Sequence, residues 1–319
     1  MQKLLFSFFC LFIFSTDSLA EVVPAPNDPS IRHYISIPKN GLRNFFKWHA
    51  VRVPLVSHHR AGPAPGYPEN AIETMDNVLK YGPGLMEIDV AQLADGTLVL
   101  MHDDNLDRTT TGTGPLSERT WDEIKDLYLK DNDGAVTNFH IPRLETVLRW
   151  TKNKAILTLD IKRGTSFAKV AQAVAKSGAQ DYIAVIAYTL PQAEAFHAVA
   201  PDMPITITMR DAAEIAAVVA SSIPTDRVIA WTGTHILPAE HYAALHGKGW
   251  RVIMGTLGDS DNSIDNQIAA NDNDERYLDF LKMGVDVIAT DRFWAVQKKI
   301  RNPNLYFYFA RKTTSGSQK

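Results

Sequence analysis

Short apolar runs alternate with helical stretches along most of the chain from Leu55 onward. The runs are mostly rich in β-branched residues and end at Gly, Pro, Asp or Asn, which is typical of buried parallel strands. In chain order they are LVSHH, MEIDV, AILTLDIK, DYIAVIAY, PITITMR, RVIAW, RVIMGTL and VDVIATD. This alternation predicts an α/β fold, a (βα)8 TIM-type barrel with functional residues at the carboxyl ends of its strands. A doubly wound open sheet fits the same periodicity.

Helical stretches are predicted at residues 71–80, 168–176, 192–199, 212–220 and 274–283. Two segments interrupt the alternation. An inserted segment after the second strand, residues 103–140, follows the strand-like TLVLMHD and contains a helical patch at 121–127. The second, residues 258–274, is dense in Asp and Asn. It lacks the glycine and terminal glutamate of an EF-hand loop, so a solvated loop is favoured over a calcium site.

The first twenty residues have the pattern of a signal peptide. Lys3 precedes an apolar run, and Ser18-Leu19-Ala20 offers small residues for cleavage. An uncleaved N-terminal anchor is the alternative. No second run of about 18 apolar residues follows, so we expect an exported protein, periplasmic or secreted, with no stable membrane span after cleavage. The predicted organisation is a signal peptide (1–20), an extension packed outside the domain or partly disordered (21–50), a barrel domain (51–300) and a tail (301–319).

Composition narrows the class of partner. The 319 residues are 45% hydrophobic and 22% charged, which is ordinary for a globular protein. With a net charge of −3 and a pI near 6.4, no basic field indicates nucleic acid as a partner. An anionic substrate would have to be held by local cations. The oligomeric state is not predicted.

Two predicted strands carry carboxylates on their inward faces. In the second strand, the strand period of two puts Glu87 and Asp89 on one face, and in the third it places Asp160 toward the same interior. Buried carboxylates are costly unless they are neutralised, and a divalent cation with oxygen ligands does this. Pairing with Arg or Lys at the barrel mouth is the alternative. Lys162, one step nearer the rim than Asp160, is a candidate phosphate-binding group.

Histidines end two further strand-like runs. The first strand ends in Ser57-His58-His59-Arg60, where one of the two histidines can be a core residue and Arg60 offers a planar fork for phosphate oxygens. His102 ends the run before the insertion. Together His59 and His102 would form an acid–base pair, one taking a proton from the nucleophile and the other giving one to the leaving alkoxide.

The turn after the first strand leads into a helix. We interpret Asn70 and Glu73, three residues apart, as the N-cap and its capping partner. Glu69 is expected to support the site.

In this order, the motifs resemble the glycerophosphodiester phosphodiesterase family. They are His59-Arg60, Pro68-Glu69-Asn70, Glu87-x-Asp89, His102-Asp103 with Arg108-Thr109-Thr110-x-Gly112, Asp160-x-Lys162, and the closing GVDVIATDR. The resemblance spans roughly residues 55–295. It implies a (βα)8 barrel that cleaves a small-molecule phosphodiester.

The same resemblance implies roles for individual residues. The metal ligands would be Glu87, Asp89 and Asp160, the catalytic pair His59 and His102, and the substrate-binding cations Arg60 and Lys162. The cofactor would be a divalent metal ion, calcium or magnesium. Water and a hydroxyl of the substrate's own glycerol remain alternative attacking groups.

Two positions depart from the family pattern. Ala61 stands where the first-turn glycine would be, and Asp160 stands where the family has Glu. An aspartate reaches about 1.5 Å less far than a glutamate. A strand shift, a bridging water or a weakened metal affinity would follow.

The leading hypothesis is metal-dependent hydrolysis of glycerophosphodiesters to an alcohol and glycerol 3-phosphate. A headgroup-cleaving phospholipase of the same fold is one alternative, and it would need an apolar lip at the barrel mouth. A non-catalytic phosphodiester-binding protein is the other, and metal binding without turnover would distinguish it.

Overall fold

The computed structural model describes residues 23–38 and 41–301 of the chain. The predicted signal peptide and residues 302–319 of the predicted tail lie outside the described residues. The strands are β1 (Leu55–His58), β2 (Gly84–Gln92), β3 (Leu98–Leu100), β4 (Tyr128–Lys130), β5 (Val136–His140), β6 (Ile156–Ile161), β7 (Ile183–Ala187), β8 (Ile205–Thr208), β9 (Val228–Trp231), β10 (Val252–Gly255) and β11 (Val287–Thr290). The helices are α1 (Gly41–Phe46), α2 (Ile72–Val78), α3 (Trp121–Ile124), α4 (Leu144–Thr151), α5 (Phe167–Ser177), α6 (Leu190–Val199), α7 (Ala212–Ala220), α8 (Ala239–Gly247), α9 (Ile264–Ala270), α10 (Arg276–Met283) and α11 (Phe293–Ile300).

Eight of these strands close into a parallel barrel. Their order is β1-β2-β6-β7-β8-β9-β10-β11, and β1 pairs in parallel with both β2 and β11. The eight correspond one to one with the runs predicted from the sequence. The closed barrel is therefore confirmed, and the open doubly wound sheet is excluded.

The alternation within β2 shows how the barrel is filled. Met86, Ile88 and Val90 point outward into the core beneath the helices. On the other face, Leu85 lies at the floor of the barrel interior, with Glu87 and Asp89 successively nearer its carboxyl end. The apolar layer at one end and the carboxylates at the other give the barrel a closed floor and a polar mouth.

Several helices begin at residues that cap them. Ser166, Thr189, Asp211 and Ser263 each accept a hydrogen bond from a backbone N–H of the first helical turn. Such side chains satisfy amide groups that the helix itself leaves unpaired. They fix where each helix starts after its βα loop.

The N-terminal segment closes the floor of the barrel. Ile35, Leu42 and Phe46 are buried together with Leu85 of β2 and the equivalent floor residues of the other strands. Trp48 continues the contact by donating its backbone N–H to Gly249. Part of the extension that we expected to pack outside the domain or to be partly disordered thus contributes to the barrel core, because these three apolar side chains fill the end of the barrel.

The segment after β2 is an ordered insertion. β3 runs antiparallel to β2, and α3 and the β4–β5 hairpin follow; this hairpin was not predicted. Leu93, Leu106 and Ile124 belong to its own small apolar cluster. His102 therefore follows an added strand, not a barrel strand.

The Asp- and Asn-rich segment 258–274 is not simply a solvated loop. It contains α9, and Asp265 is buried there, accepting hydrogen bonds from Tyr277, Thr290 and the backbone of Asp291.

No helix among residues 23–38 and 41–301 is long and apolar enough to cross a membrane.

Candidate active site

Three carboxylates meet at the mouth of the barrel. The register pairs Asp89 of β2 directly with Asp160 of β6, and Glu87 lies two residues below Asp89. One carboxylate oxygen from each of the three lies within 4.8 Å of the others. The predicted convergence of these side chains is what the structure shows.

The electrostatics of this cluster favour a bound cation. Burial and the neighbouring Asp89 charge raise the pKa of Glu87 to about 8. Burial opposes ionisation of Asp89 as well, but Lys162 and Asn70 hold the pKa of Asp89 below its usual value. A hard divalent cation would remove the repulsion, and an all-oxygen donor set suits calcium or magnesium. The residues present therefore fit such an ion.

Lys162 and Asn70 hold the carboxylates in place. Lys162 Nζ lies 2.9 Å from Asp89 Oδ1 and 3.1 Å from Asp160 Oδ2. Asn70 Nδ2 donates to Asp89 Oδ2, and Asn70 Oδ1 accepts the backbone N–H of Asp89. The interpretation of Asn70 as an N-cap is wrong: the cap position is Ala71, and the Asn70 side chain is committed to Asp89.

Of the two adjacent histidines, His59 reaches the cavity. His58 is fully buried against Phe293, and burial lowers its pKa to about 3. His59 Nδ1 lies 2.6 Å from Asp291 Oδ1. Burial alone would lower the pKa of His59, but Asp291 raises it to about 9, so the ring carries a proton at neutral pH.

The turn after β1 has unusual backbone geometry. Arg60 and Ala61 have φ angles of 48° and 71°, in the left-handed region that most residues avoid. This bend directs the backbone N–H of Arg60 to Glu87 Oε2 at 2.7 Å. Ala61, which stands where the resemblance leads us to expect glycine, thus adopts a backbone conformation that favours glycine.

His102 lies in a second network, formed by the insertion. Its Nδ1 is 2.7 Å from Asp103 Oδ1, and its Nε2 is 3.0 Å from Arg60 Nη2. Because arginine only donates, Nε2 accepts and carries no proton in this arrangement. Arg108 bridges Asp103 to the buried Glu69, which also accepts from Arg60. The expectation that Glu69 supports the site is met through these arginines.

These groups face a cavity of about 360 Å³. Its charged and imidazole side chains, among the described residues, all come from β1, β2, β6 and the insertion. The wall from β7 to β10 is uncharged and includes Ile186, Trp231 and Leu257. Lys162 lines the cavity, whereas the Arg60 guanidinium is turned toward Glu69 and His102.

Sequence reasoning missed two residues of this site. Asp291 follows β11, and Tyr188 follows β7, where its hydroxyl donates to Asp160 Oδ2 at 2.9 Å. The available signal was position: both come directly after a barrel strand, at the carboxyl end. The Asp-Arg of the closing GVDVIATDR had been noted only as part of the resemblance.

Comparisons with known proteins agree with the barrel fold. The model of the glycerophosphoryl diester phosphodiesterase family matches residues 59–177. A crystal structure of a glycerophosphoryl diester phosphodiesterase from Parabacteroides distasonis is 31% identical, with a TM-score of 0.75, over 85% of this chain and 93% of that chain.

Two further relatives differ in what they cover. Glycerophosphodiester phosphodiesterase 1 of Bos taurus is 34% identical over 115 residues, 35% of this chain and 34% of its own. A phosphodiesterase from Oleispira antarctica, solved with the product sn-glycerol-3-phosphate, shares the fold at 19% identity and a TM-score of 0.60, over 78% of this chain and 98% of that chain. The first curated relatives are matched over between 34% and 54% of their own length. Because the Parabacteroides protein is matched over nearly its whole length at 31% identity, this chain belongs to the glycerophosphoryl diester phosphodiesterase family.

Proposed function

We propose that this protein hydrolyses glycerophosphodiesters to an alcohol and glycerol 3-phosphate. The observation that carries the proposal is a pair of histidines lining one cavity, next to three converging carboxylates. Each histidine is held through Nδ1 by an aspartate, His59 by Asp291 and His102 by Asp103. The product bound to the Oleispira neighbour supports glycerol 3-phosphate as one product.

The two histidines divide the proton transfers. His102 accepts a proton from the attacking hydroxyl as the new P–O bond forms, and His59 delivers one to the alkoxide as the old P–O bond breaks. The attacker is water, or a neighbouring hydroxyl of the substrate that first forms a cyclic phosphate, which water then opens to glycerol 3-phosphate. Arg60 contacts His102, so displacement of its guanidinium toward a substrate phosphate would free Nε2 for this step.

A bound cation and Lys162 would together neutralise the charge of the substrate phosphate. Glu87, Asp89 and Asp160 would hold calcium or magnesium, which supplies neutralising charge at a phosphoryl oxygen. Lys162 lines the cavity and bridges two of these carboxylates, so its ammonium is within reach of the same phosphate. The uncharged wall leaves room for a leaving alcohol that needs no ionic partner.

The test measures glycerol 3-phosphate release from a panel of glycerophosphodiesters and release of the headgroup alcohol from one lysophospholipid. Purified protein is assayed with EDTA and then with added calcium or magnesium. We expect release that requires a metal and falls about 10²–10⁴-fold in His59→Ala and in His102→Ala, the usual contribution of a general acid or base. His49→Ala, an exposed histidine, is the matched control.

Two other outcomes would each indicate a different function. Cleavage of the lysophospholipid alone would make the protein a phospholipase of this fold. Binding of glycerophosphodiesters without release, by folded protein with any metal, would sink the hydrolase assignment and favour a binding protein.

Export remains a proposal based on the sequence of residues 1–20. N-terminal sequencing of the protein recovered from outside the cytoplasm should begin at about residue 21. Recovery of the intact N-terminus in a membrane fraction would favour the uncleaved anchor.

A further inference from the structure

Tyr188 connects the uncharged wall of the cavity to the carboxylate cluster. It follows β7 by one residue, and the register pairs Ile186 of β7 with Asp160 of β6. With a strand period of two, Ile186 and Tyr188 lie on the same inward face, and both line the cavity. The ring is half-exposed at the mouth, while its hydroxyl lies 2.9 Å from Asp160 Oδ2.

The Asp160 carboxylate is held by one oxygen only. Tyr188 and Lys162 both donate to Oδ2, at 2.9 and 3.1 Å. No described residue donates a hydrogen bond to Oδ1. Below Asp160 on the same face, the buried Thr158 hydroxyl has no hydrogen-bond partner and so gives Asp160 no support. This arrangement fixes the plane of the carboxylate and leaves Oδ1 available to a ligand.

The two donors are not equivalent. Lys162 also bonds Asp89, and its ammonium is mobile on a four-carbon stem, so a substrate phosphate competes for it. The Tyr188 hydroxyl, in contrast, donates to Asp160 alone among the described residues. With Lys162 drawn to substrate, Tyr188 would be the remaining group that orients Asp160.

We propose that Tyr188 is a positioning residue that orients Asp160 for the divalent cation held with Glu87 and Asp89. The inference rests on the metal site of the proposed function. The tyrosine hydroxyl reaches across from β7 and holds the carboxylate of this short side chain. Partners that orient a metal-binding carboxylate in this way contribute about 10–100-fold to affinity.

The test measures cation affinity in the absence of substrate. Calcium and magnesium are titrated calorimetrically into the full chain and into Tyr188→Phe, which keeps the ring and removes only the hydroxyl. We expect the dissociation constant to rise about tenfold. Tyr128→Phe, a similarly exposed tyrosine of the β4–β5 hairpin, is the matched control and should bind like the wild type.

A double-mutant cycle shows whether the effect passes through Asp160. In an Asp160→Asn background, Tyr188→Phe should weaken binding by less than about twofold, because the carboxylate that it orients is gone. Wild-type affinity in Tyr188→Phe, or equal weakening in both backgrounds, would overturn the inference while leaving the metal site intact. Absence of cation binding by the folded wild type would overturn the metal site and the inference together.

Discussion

At the residue scale, the site depends on side chains that hold other side chains in position through hydrogen bonds. Asn70 is an example, since its amide donates to one oxygen of Asp89 and accepts the Asp89 backbone N–H. It does so from a left-handed backbone conformation, φ 59°, which asparagine tolerates better than most residues. A local pattern, Asn followed by Glu three residues later, suggested a helix cap, and the tertiary contact took precedence.

Replacing Asn70 by Ala should reduce stability beyond the cost of the backbone strain. Loss of both buried hydrogen bonds should lower the free energy of unfolding by about 2–4 kcal/mol. Asn153→Ala is the matched control, because Asn153 has nearly the same φ, 60°, on an exposed turn, where its side chain accepts one exposed hydrogen bond, from Tyr182, in place of the two buried ones. Urea denaturation of the two variants measures the difference. Equal losses would mean that the strain, and not the link to Asp89, accounts for the effect.

Buried His58 should make stability depend on pH. Burial lowers its pKa to about 3 from the 6.5 of an unfolded chain, so between these values only the unfolded state binds the proton. Its contribution to stability is full above pH 6.5 and declines as the pH falls, by up to about 1.4 kcal/mol per unit. Urea denaturation should show that, between pH 6.5 and 5, the free energy of unfolding falls by about 2 kcal/mol less in His58→Leu than in the wild type. If the free energy of unfolding changed equally with pH in His58→Leu and in the wild type, the lowered pKa of His58 would be contradicted.

At the scale of elements, the eight barrel strands could be predicted because each is a self-contained apolar run with a clear end. The inward carboxylates of β2 and β6 followed from strand period alone. The β4–β5 hairpin was missed because its strands are short and mostly exposed, so they carry little hydrophobic signal. Tyr188 and Asp291 were missed because their partners lie on strands distant in sequence, and no local pattern records such a pairing.

Within the insertion, Arg108 holds His102 in position by way of Asp103. The Arg108 guanidinium donates two hydrogen bonds to Glu69 and two to Asp103, and Asp103 in turn bonds the His102 ring. Arg108→Lys keeps the charge but loses this geometry, so turnover should fall about 10–100-fold. Steady-state kinetics on the best substrate of the panel measure it. Arg119→Lys, in the same insertion but bonded only to a backbone carbonyl, is the control, and a loss of the same size there would indicate general loosening of the insertion.

At the scale of the whole molecule, the two ends of the barrel differ in the side chains that they carry. The carboxyl end gathers charge from β1, β2, β6 and the insertion into one mouth. The amino end is sealed by an apolar layer that includes Leu42 and Phe46 of α1. Asp286, buried at that end, accepts from Arg52 and His246, and the Trp48 ring stacks on His246 at 4.6 Å. The N-terminal segment is thereby fixed to the barrel by apolar and ionic contacts together.

If the segment is part of the barrel's cooperative unit, a cavity made in it should destabilise the whole barrel. Phe46 is 3% exposed, and Phe46→Ala should lower the free energy of unfolding by about 3–5 kcal/mol. Far-UV circular dichroism and tryptophan fluorescence should then report one shared transition in urea, because Trp48 of the segment unfolds together with the other five tryptophans, which lie in the barrel and its insertion. Asn44→Ala, on the exposed face of the same helix, should leave that transition nearly unchanged. An early fluorescence transition with the barrel's own midpoint unmoved would instead make the segment an appendage, and the closed floor would then belong to the barrel strands alone.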